Sequence, residues 1–294
     1  MTDLLKDFEP KHDLLVCIDS DGTVFDNMEL KHKECFCPAA VNVWKLQSVS
    51  KYFREVWDFY NLYARTRGIN RFPGIVKCLE ENAKRPEVKE RGYVLPDLTE
   101  LKKWTEETPV LGCGALEAYA EKTGTQDPAI HQAIAWSHEV DQNVRRIVHD
   151  LPPLPYVRET LEKISEFADI VIVSAATHDA LEREWIANDL VCYVTVTAGQ
   201  ELGSKAECIR KSMEGKYSRD HVLMIGDAPG DYESAEKNGV MYYPIIPGQE
   251  TQSWKQLYSE SAERFRNGTY AGEYMDAQVK RFFDSLAEKA PWEE

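Results

Sequence analysis

The sequence has no long apolar run. Ahead of Asp19 the apolar stretch Leu14 to Ile18 is five residues long, too short for a membrane span or a secretory h-region, so a cytoplasmic address is the expectation. Positive charge is also scarce: 35 Lys and Arg stand against 50 Asp and Glu, a net charge of −15. That balance disfavours nucleic acid and anionic membranes as partners, and any anionic ligand must be drawn by a local positive site. The seven cysteines form no CxxC pair and leave one over, which fits neither a disulfide framework nor a zinc motif. Cys35-Phe-Cys37 is the one close pair, and two reduced thiols are its plainer reading. Internal repeats and low-complexity tracts are absent.

What is present is an ordinary globular composition, 43% hydrophobic and 11% aromatic over 294 residues, enough for one large domain or two smaller ones. Leu14 to Ile18, Ile170 to Val173, Val191 to Val196, Val222 to Ile225 and Val240 to Ile246 read as short buried strands. Helical stretches at Tyr156 to Phe167, Leu181 to Asp189, Ala206 to Glu214 and Tyr232 to Lys237 alternate with them. The pattern predicts an α/β fold with a doubly wound parallel sheet. Between residues 28 and 149 the period changes to three and four, as in Val41, Trp44, Val49, Phe53, Val56 and Tyr60, and no β-branched run interrupts it. The expected organisation is therefore an α/β core of residues 1–27 and 150–294, with an α-helical module at 28–149 inserted after the first strand. The aromatic stripe Trp44, Trp57, Tyr60 and Tyr63 in that module reads as core.

The first strand ends in Asp19-Ser-Asp21-Gly22-Thr23, placing two like charges a few ångströms apart. Such a pair asks for a cation or a shared proton. An EF-hand loop is excluded because Val24 stands where its sixth-position glycine belongs. Three further pieces fall at strand ends or helix starts: Ser174, Lys205 and Gly226-Asp227-Ala-Pro-Gly-Asp231. Ser204-Lys-Ala-Glu207 also reads as a capping box that starts a helix whatever its function. In open α/β sheets ligands bind at the carboxyl ends of the strands. Four carboxylates, a hydroxyl and an ammonium gathered there suit phosphoryl transfer.

In these motifs, in this order, the sequence resembles the haloacid dehalogenase (HAD) superfamily, whose phosphatase branches carry DxDGT, a Ser or Thr after the second strand, a Lys, and GDxxxD. The resemblance covers roughly residues 14 to 27 and 151 to 246, and the inserted module corresponds in position to that family's helical C1-type cap. It implies a Rossmann-like core and Mg²⁺-dependent hydrolysis of a small phosphomonoester through an aspartyl-phosphate. By the same resemblance Asp19 is the nucleophile and Asp21 the general acid and base. Ser174 and Lys205, with the Gly22 and Thr23 turn, would hold the phosphate. Mg²⁺ would take Asp19, the main-chain carbonyl of Asp21, Asp227 and Asp231. Dehalogenases and phosphonate-cleaving members lack a carboxylate at the position of Asp21, so its presence favours an oxygen leaving group.

Two alternatives accompany this reading: a sugar phosphomutase of the β-phosphoglucomutase type, and a non-catalytic HAD-fold binding or regulatory protein. Retention of four mutually repelling carboxylates argues against the second. Within the insert, Arg65, Arg67 and Arg71 form a basic knot beside Gly68, making Arg67 and Arg71 candidate contacts for an anionic substrate. Lys31 and His32 fall, one position out of step, in the stretch where related sugar phosphomutases carry a histidine.

Overall fold

The computed structural model describes residues 4–293 and resolves two units. One contains the residues up to Asn27 together with Asp150–Leu286; the other contains Met28–His149 and the residues from Ala287 on.

The first unit is built on strands Leu14–Ile18 (β1), Ala168–Val173 (β2), Val196–Ala198 (β3), Val222–Gly226 (β4) and Met241–Pro244 (β5). All pair in parallel, in the order β3-β2-β1-β4-β5. The α/β fold is that expected. Strand β1 is central, with Ile18 opposite both Ile172 and Ile225. Its residues alternate between two core layers, Val16 and Ile18 on one face, Leu15 and Cys17 on the other. A strand covered on both faces has no polar side, which is why it appears in the sequence as an uninterrupted apolar run. The sheet grows in opposite directions from β1, so the switch in strand order lies between β1 and β4, at the ends that carry Asp19 and Asp227.

One strand falls elsewhere than expected. Val191–Tyr193 form a single 3-10 turn and β3 begins only at Val196. Val191 is exposed, so its β-branched side chain signals propensity without a pleated surface to pack on. Pairing with β2 starts at Thr195, whose N–H donates to the Ile170 carbonyl at 2.7 Å.

The second unit is helical, around a core containing Phe53, Trp57, Phe72, Trp104 and Trp136. Trp57 and Trp136 meet edge to face with centroids 5.9 Å apart. The long helix Pro128–Ile147 starts cleanly because Asp127 accepts from the Ala129 and Ile130 N–H groups and Pro128 has no N–H to satisfy. Trp44, Trp57 and Tyr60 are buried as expected, whereas Tyr63 is exposed and bonds Glu29 and Lys33 through its hydroxyl. The chain end also departs from expectation. Instead of closing the α/β core, the residues from Ala287 join the helical unit: Ala287 N–H donates to Tyr63 O at 2.8 Å, and Arg65 N–H donates to Ala287 O at 3.2 Å. Trp292 then lies against Phe59 and beneath the Arg85 guanidinium. Backbone pairing of a short tail leaves no periodic signature in sequence. Among the described residues no helix is long and apolar enough to cross a membrane.

Asp169 anchors the chain entering β1. Its buried carboxylate accepts from Lys11 N–H at 2.9 Å, His12 N–H at 3.0 Å and the Tyr217 hydroxyl at 2.8 Å. Asp169→Ala strands all three donors and is expected to cost about 3 kcal/mol of unfolding free energy, measured by urea titration; a change under about 0.5 kcal/mol contradicts this account.

Candidate active site

Asp19 is the first residue past β1, and its N–H still donates to the Ile225 carbonyl at 3.0 Å, extending the β1–β4 ladder by one bond. That bond fixes the residue while its carboxylate, 5% exposed, lies 2.8 Å from Lys205 Nζ. Lys205 opens the helix Lys205–Met213 behind the capping box expected: Ser204 Oγ accepts from Glu207 N–H, and the Glu207 carboxylate accepts from Ser204 N–H. Its ammonium also bonds Asp231 Oδ1.

Asp231 sits in the first turn of helix Pro229–Asn238, with Oδ2 accepting from Ala228 N–H at 3.0 Å. It is fully buried, and it lies over Gly226 so closely that a Cβ there would stand 2.3 Å from its carboxylate oxygen. Only glycine at position 226 lets this acid reach the strand end. Asp227 follows β4 directly, and its Oδ1 accepts from the Thr23 hydroxyl at 2.9 Å. Carboxylate oxygens of Asp19, Asp227 and Asp231 lie within 4.8 Å of one another.

The loop after Asp19 is held by groups that the sequence reading did not single out. Gly22 has φ of 72°, a turn conformation that suits glycine. Its N–H donates to Phe25 O and to Asn27 Oδ1, while Asn27 Nδ2 donates to Asp21 Oδ1 at 2.7 Å. Ser20 O accepts from Val24 N–H, Ser20 Oγ accepts from Trp185 Nε1, and Thr23 O accepts from Trp254 Nε1. Asn27, at the end of the motif run, is the one of these residues that the sequence signals locally.

Gly22 N–H serves the turn, and the Thr23 hydroxyl donates to Asp227. Ser174, buried just past β2, donates N–H to Ala198 O and accepts from Ala176 N–H through Oγ. Arg67 and Arg71, expected as substrate contacts, are engaged inside the helical unit. Arg67 is buried and donates to Leu62 O at 2.9 Å. Arg71 donates to Ser137 Oγ at 3.0 Å and Asp141 Oδ1 at 2.7 Å, over the Phe36 ring. Lys31 and His32 are buried, and Trp57 Nε1 donates to His32 Nδ1. Burial pushes the Cys35 thiol up to about 11 and the Cys37 thiol to about 12, as befits inert structural cysteines.

Burial dominates the electrostatics. It pushes the Asp19 carboxyl up to about 8; Lys205 opposes that shift, and Asp231 and Asp227 add to it. Asp231 is raised for the same first reason. Burial alone would lower Lys205, yet the Asp19 and Asp231 carboxylates hold it well above the ordinary lysine range. Three buried acids gathered at one ammonium, which bonds Asp19 and Asp231, carry when ionised an excess negative charge that a small divalent cation relieves. All-oxygen donors suit a hard ion such as Mg²⁺, so the residues present fit that metal.

Residues 105–244 match the family model described as haloacid dehalogenase-like hydrolase. That segment, a little under half of the chain, is similar to haloacid dehalogenase-like hydrolases. The matched segment holds Ser174, Lys205, Asp227 and Asp231, whereas Asp19 and Asp21 lie outside it. Among solved structures, a candidate phosphoglycolate phosphatase from Lactobacillus delbrueckii subsp. bulgaricus aligns with TM-score 0.51 and 12% identity, over 88% of this chain and 98% of that one. A candidate β-phosphoglucomutase from Thermotoga maritima aligns at TM-score 0.40 and 15% identity, covering 86% and 97% of the two chains. A candidate HAD-hydrolase from Bacillus subtilis, bound to magnesium, aligns at TM-score 0.40 and 13% identity, covering 79% and 86%. No curated protein matches the chain in sequence.

Asp19 holds its proton more tightly in the folded chain, at about 8 against an ordinary 3.8, so in that interval the unfolded chain binds fewer protons. Without divalent cation, stability is expected to fall as pH rises from about 4 to about 8, and Mg²⁺ is expected to raise the melting temperature more at pH about 8 than at pH about 5. Calorimetry with and without EDTA checks this; an equal Mg²⁺ effect at both pH values overturns it. Gly226→Ala drives a methyl into Asp231 and is expected to cost about 2 kcal/mol and to abolish the Mg²⁺ effect; an unaltered Mg²⁺ response in the folded variant contradicts the packing argument.

Proposed function

We propose that this chain is a Mg²⁺-dependent phosphatase of the HAD type, acting on a small phosphomonoester through an aspartyl-phosphate on Asp19. The observation that supports it most is the buried cluster at the β1–β4 switch point, where Asp19 is fixed by the sheet and paired with Lys205. Asp19, Asp227 and Asp231 would hold the metal together with the main-chain carbonyl of Asp21. The metal, when bound, neutralises phosphoryl oxygens and keeps the Asp19 carboxylate ionised at neutral pH.

The Asp19 carboxylate attacks phosphorus as the ester oxygen leaves, and Lys205 balances charge on the phosphoryl oxygens. Ser174 contributes a hydroxyl donor at the end of the neighbouring strand. Asp21, steadied by Asn27, gives its proton to the departing oxygen and then takes one from the water that hydrolyses the acyl phosphate. Thr23 orients Asp227 through its hydroxyl. The helical unit corresponds in chain position to the C1-type cap of that family.

The test is phosphate release from p-nitrophenyl phosphate and a panel of sugar phosphates, nucleotides and phosphorylated acids, with Mg²⁺ or EDTA. Asp19→Asn is expected to abolish Mg²⁺-dependent release while folding normally. Asp21→Asn is expected to slow alkyl phosphates by about 10²–10⁴-fold and to spare p-nitrophenyl phosphate, whose leaving group needs little protonation. Turnover surviving in pure Asp19→Asn removes the nucleophile, and isomer formation without net phosphate release points to a mutase.

A further inference from the structure

The helical unit carries a second cluster of potential ligands, and its donors differ in kind from those of the acid cluster. Cys113 and Glu117 are four residues apart at the start of the helix Cys113–Thr123, so both side chains leave the same face one turn apart. His138 comes from the adjoining helix Pro128–Ile147. His138 Nε2 lies 2.7 Å from Glu117 Oε1 and 3.9 Å from Cys113 Sγ, and all three ligand atoms lie within 4.8 Å of one another. Leu116 on one helix and Ala133 and Val140 on the other are buried in the unit's core, which fixes the two backbones beneath the cluster. The imidazole and carboxylate remain about half exposed, at 53% and 46%, open to an ion from solvent.

We propose that Cys113, Glu117 and His138 form a Zn²⁺ site, with water in the fourth position. A thiolate, an imidazole and a carboxylate together select a borderline-soft ion, and Mg²⁺ has no use for the first two. Metal–ligand bonds of about 2.0–2.3 Å hold neighbouring ligand atoms of a tetrahedral site somewhat over 3 Å apart. The Cys113–His138 separation, 3.9 Å, is close to that size, and the His138–Glu117 hydrogen bond would open by about half an ångström on binding. On binding, the thiol proton passes to solvent, the neutral imidazole carries its ring proton on Nδ1 so that the Nε2 lone pair faces the metal, and no electron moves. Ser137, buried and bonded to Arg71 at 3.0 Å, stands next to His138 in the chain and ties that stretch of helix to its neighbour. The cluster lacks sequence proximity between its first two ligands and the third, so it matches no zinc motif.

Co²⁺ is the probe, titrated into the full-length protein under reducing conditions with excess Mg²⁺ present to fill the acid cluster. Wild type is expected to take up one equivalent with thiolate-to-cobalt charge-transfer absorption, a signal that an all-oxygen site cannot produce. Zn²⁺ is expected to displace it and to raise the melting temperature. Cys113→Ser is expected to lose the charge-transfer band, and His138→Ala to weaken uptake more than about tenfold. Circular dichroism verifies that these part-exposed variants fold. Absence of the band in wild type, or a band unchanged in Cys113→Ser, overturns the site and leaves a plain His138–Glu117 surface pair. The outcome is independent of phosphatase activity.

Discussion

The contact on which the rest of the active-site end depends is the Lys205 ammonium set between Asp19 and Asp231. Each acid alone is too buried to stay ionised comfortably, and the lysine alone would be pushed toward neutrality by the same burial. Held together they stabilise one another's charged forms, yet three carboxylates against one ammonium leave the cluster short of positive charge. The fold supplies the positions: a β1–β4 bond for Asp19, a helix first turn for Asp231, a capped helix start for Lys205, and a glycine where Asp231 must pass. Structural stability and readiness for a cation are thus one arrangement seen from two sides.

How far this was legible in the sequence follows from how local each cause is. Strand β1 was readable to the residue, because burial on both faces writes a continuous apolar run that a pair of acids and a glycine then ends. Lys205 was readable from its capping box, and Asp227 and Asp231 from their spacing after an apolar strand. What escaped reading depends on partners distant in the chain. Nothing near Trp185 or Trp254 says that their indole N–H groups hold the Asp19–Thr23 loop, and nothing near Thr23 says that its hydroxyl is committed to Asp227. The partners of the arginine knot were unreadable for a related reason. Arg71 finds an anion on another helix of its own unit and Arg67 finds a carbonyl, partners that clustered charge in the sequence does not name.

The helical insert and the α/β unit divide the chemistry between oxygen donors on one side and mixed sulfur, nitrogen and oxygen donors on the other. Hard and borderline ions would sort between such sites by donor type alone, without either site needing a specialised loop.

The chain passes between the units three times, at Asn27–Met28, at His149–Asp150 and at Leu286–Ala287. An insert joined by two linkers is a cassette that can be complete before the rest of the protein exists. Here the helical unit waits for the residues from Ala287 on, because the segment that hydrogen-bonds Tyr63 and packs Trp292 on Phe59 is made after every strand of the sheet. The sheet waits as well, since β1 has no partner until β2 emerges some 150 residues later. Both units therefore close late and in overlapping order, a high-contact-order topology whose assembly is slow and whose insert does not transplant as a self-contained module unless its C-terminal piece travels with it.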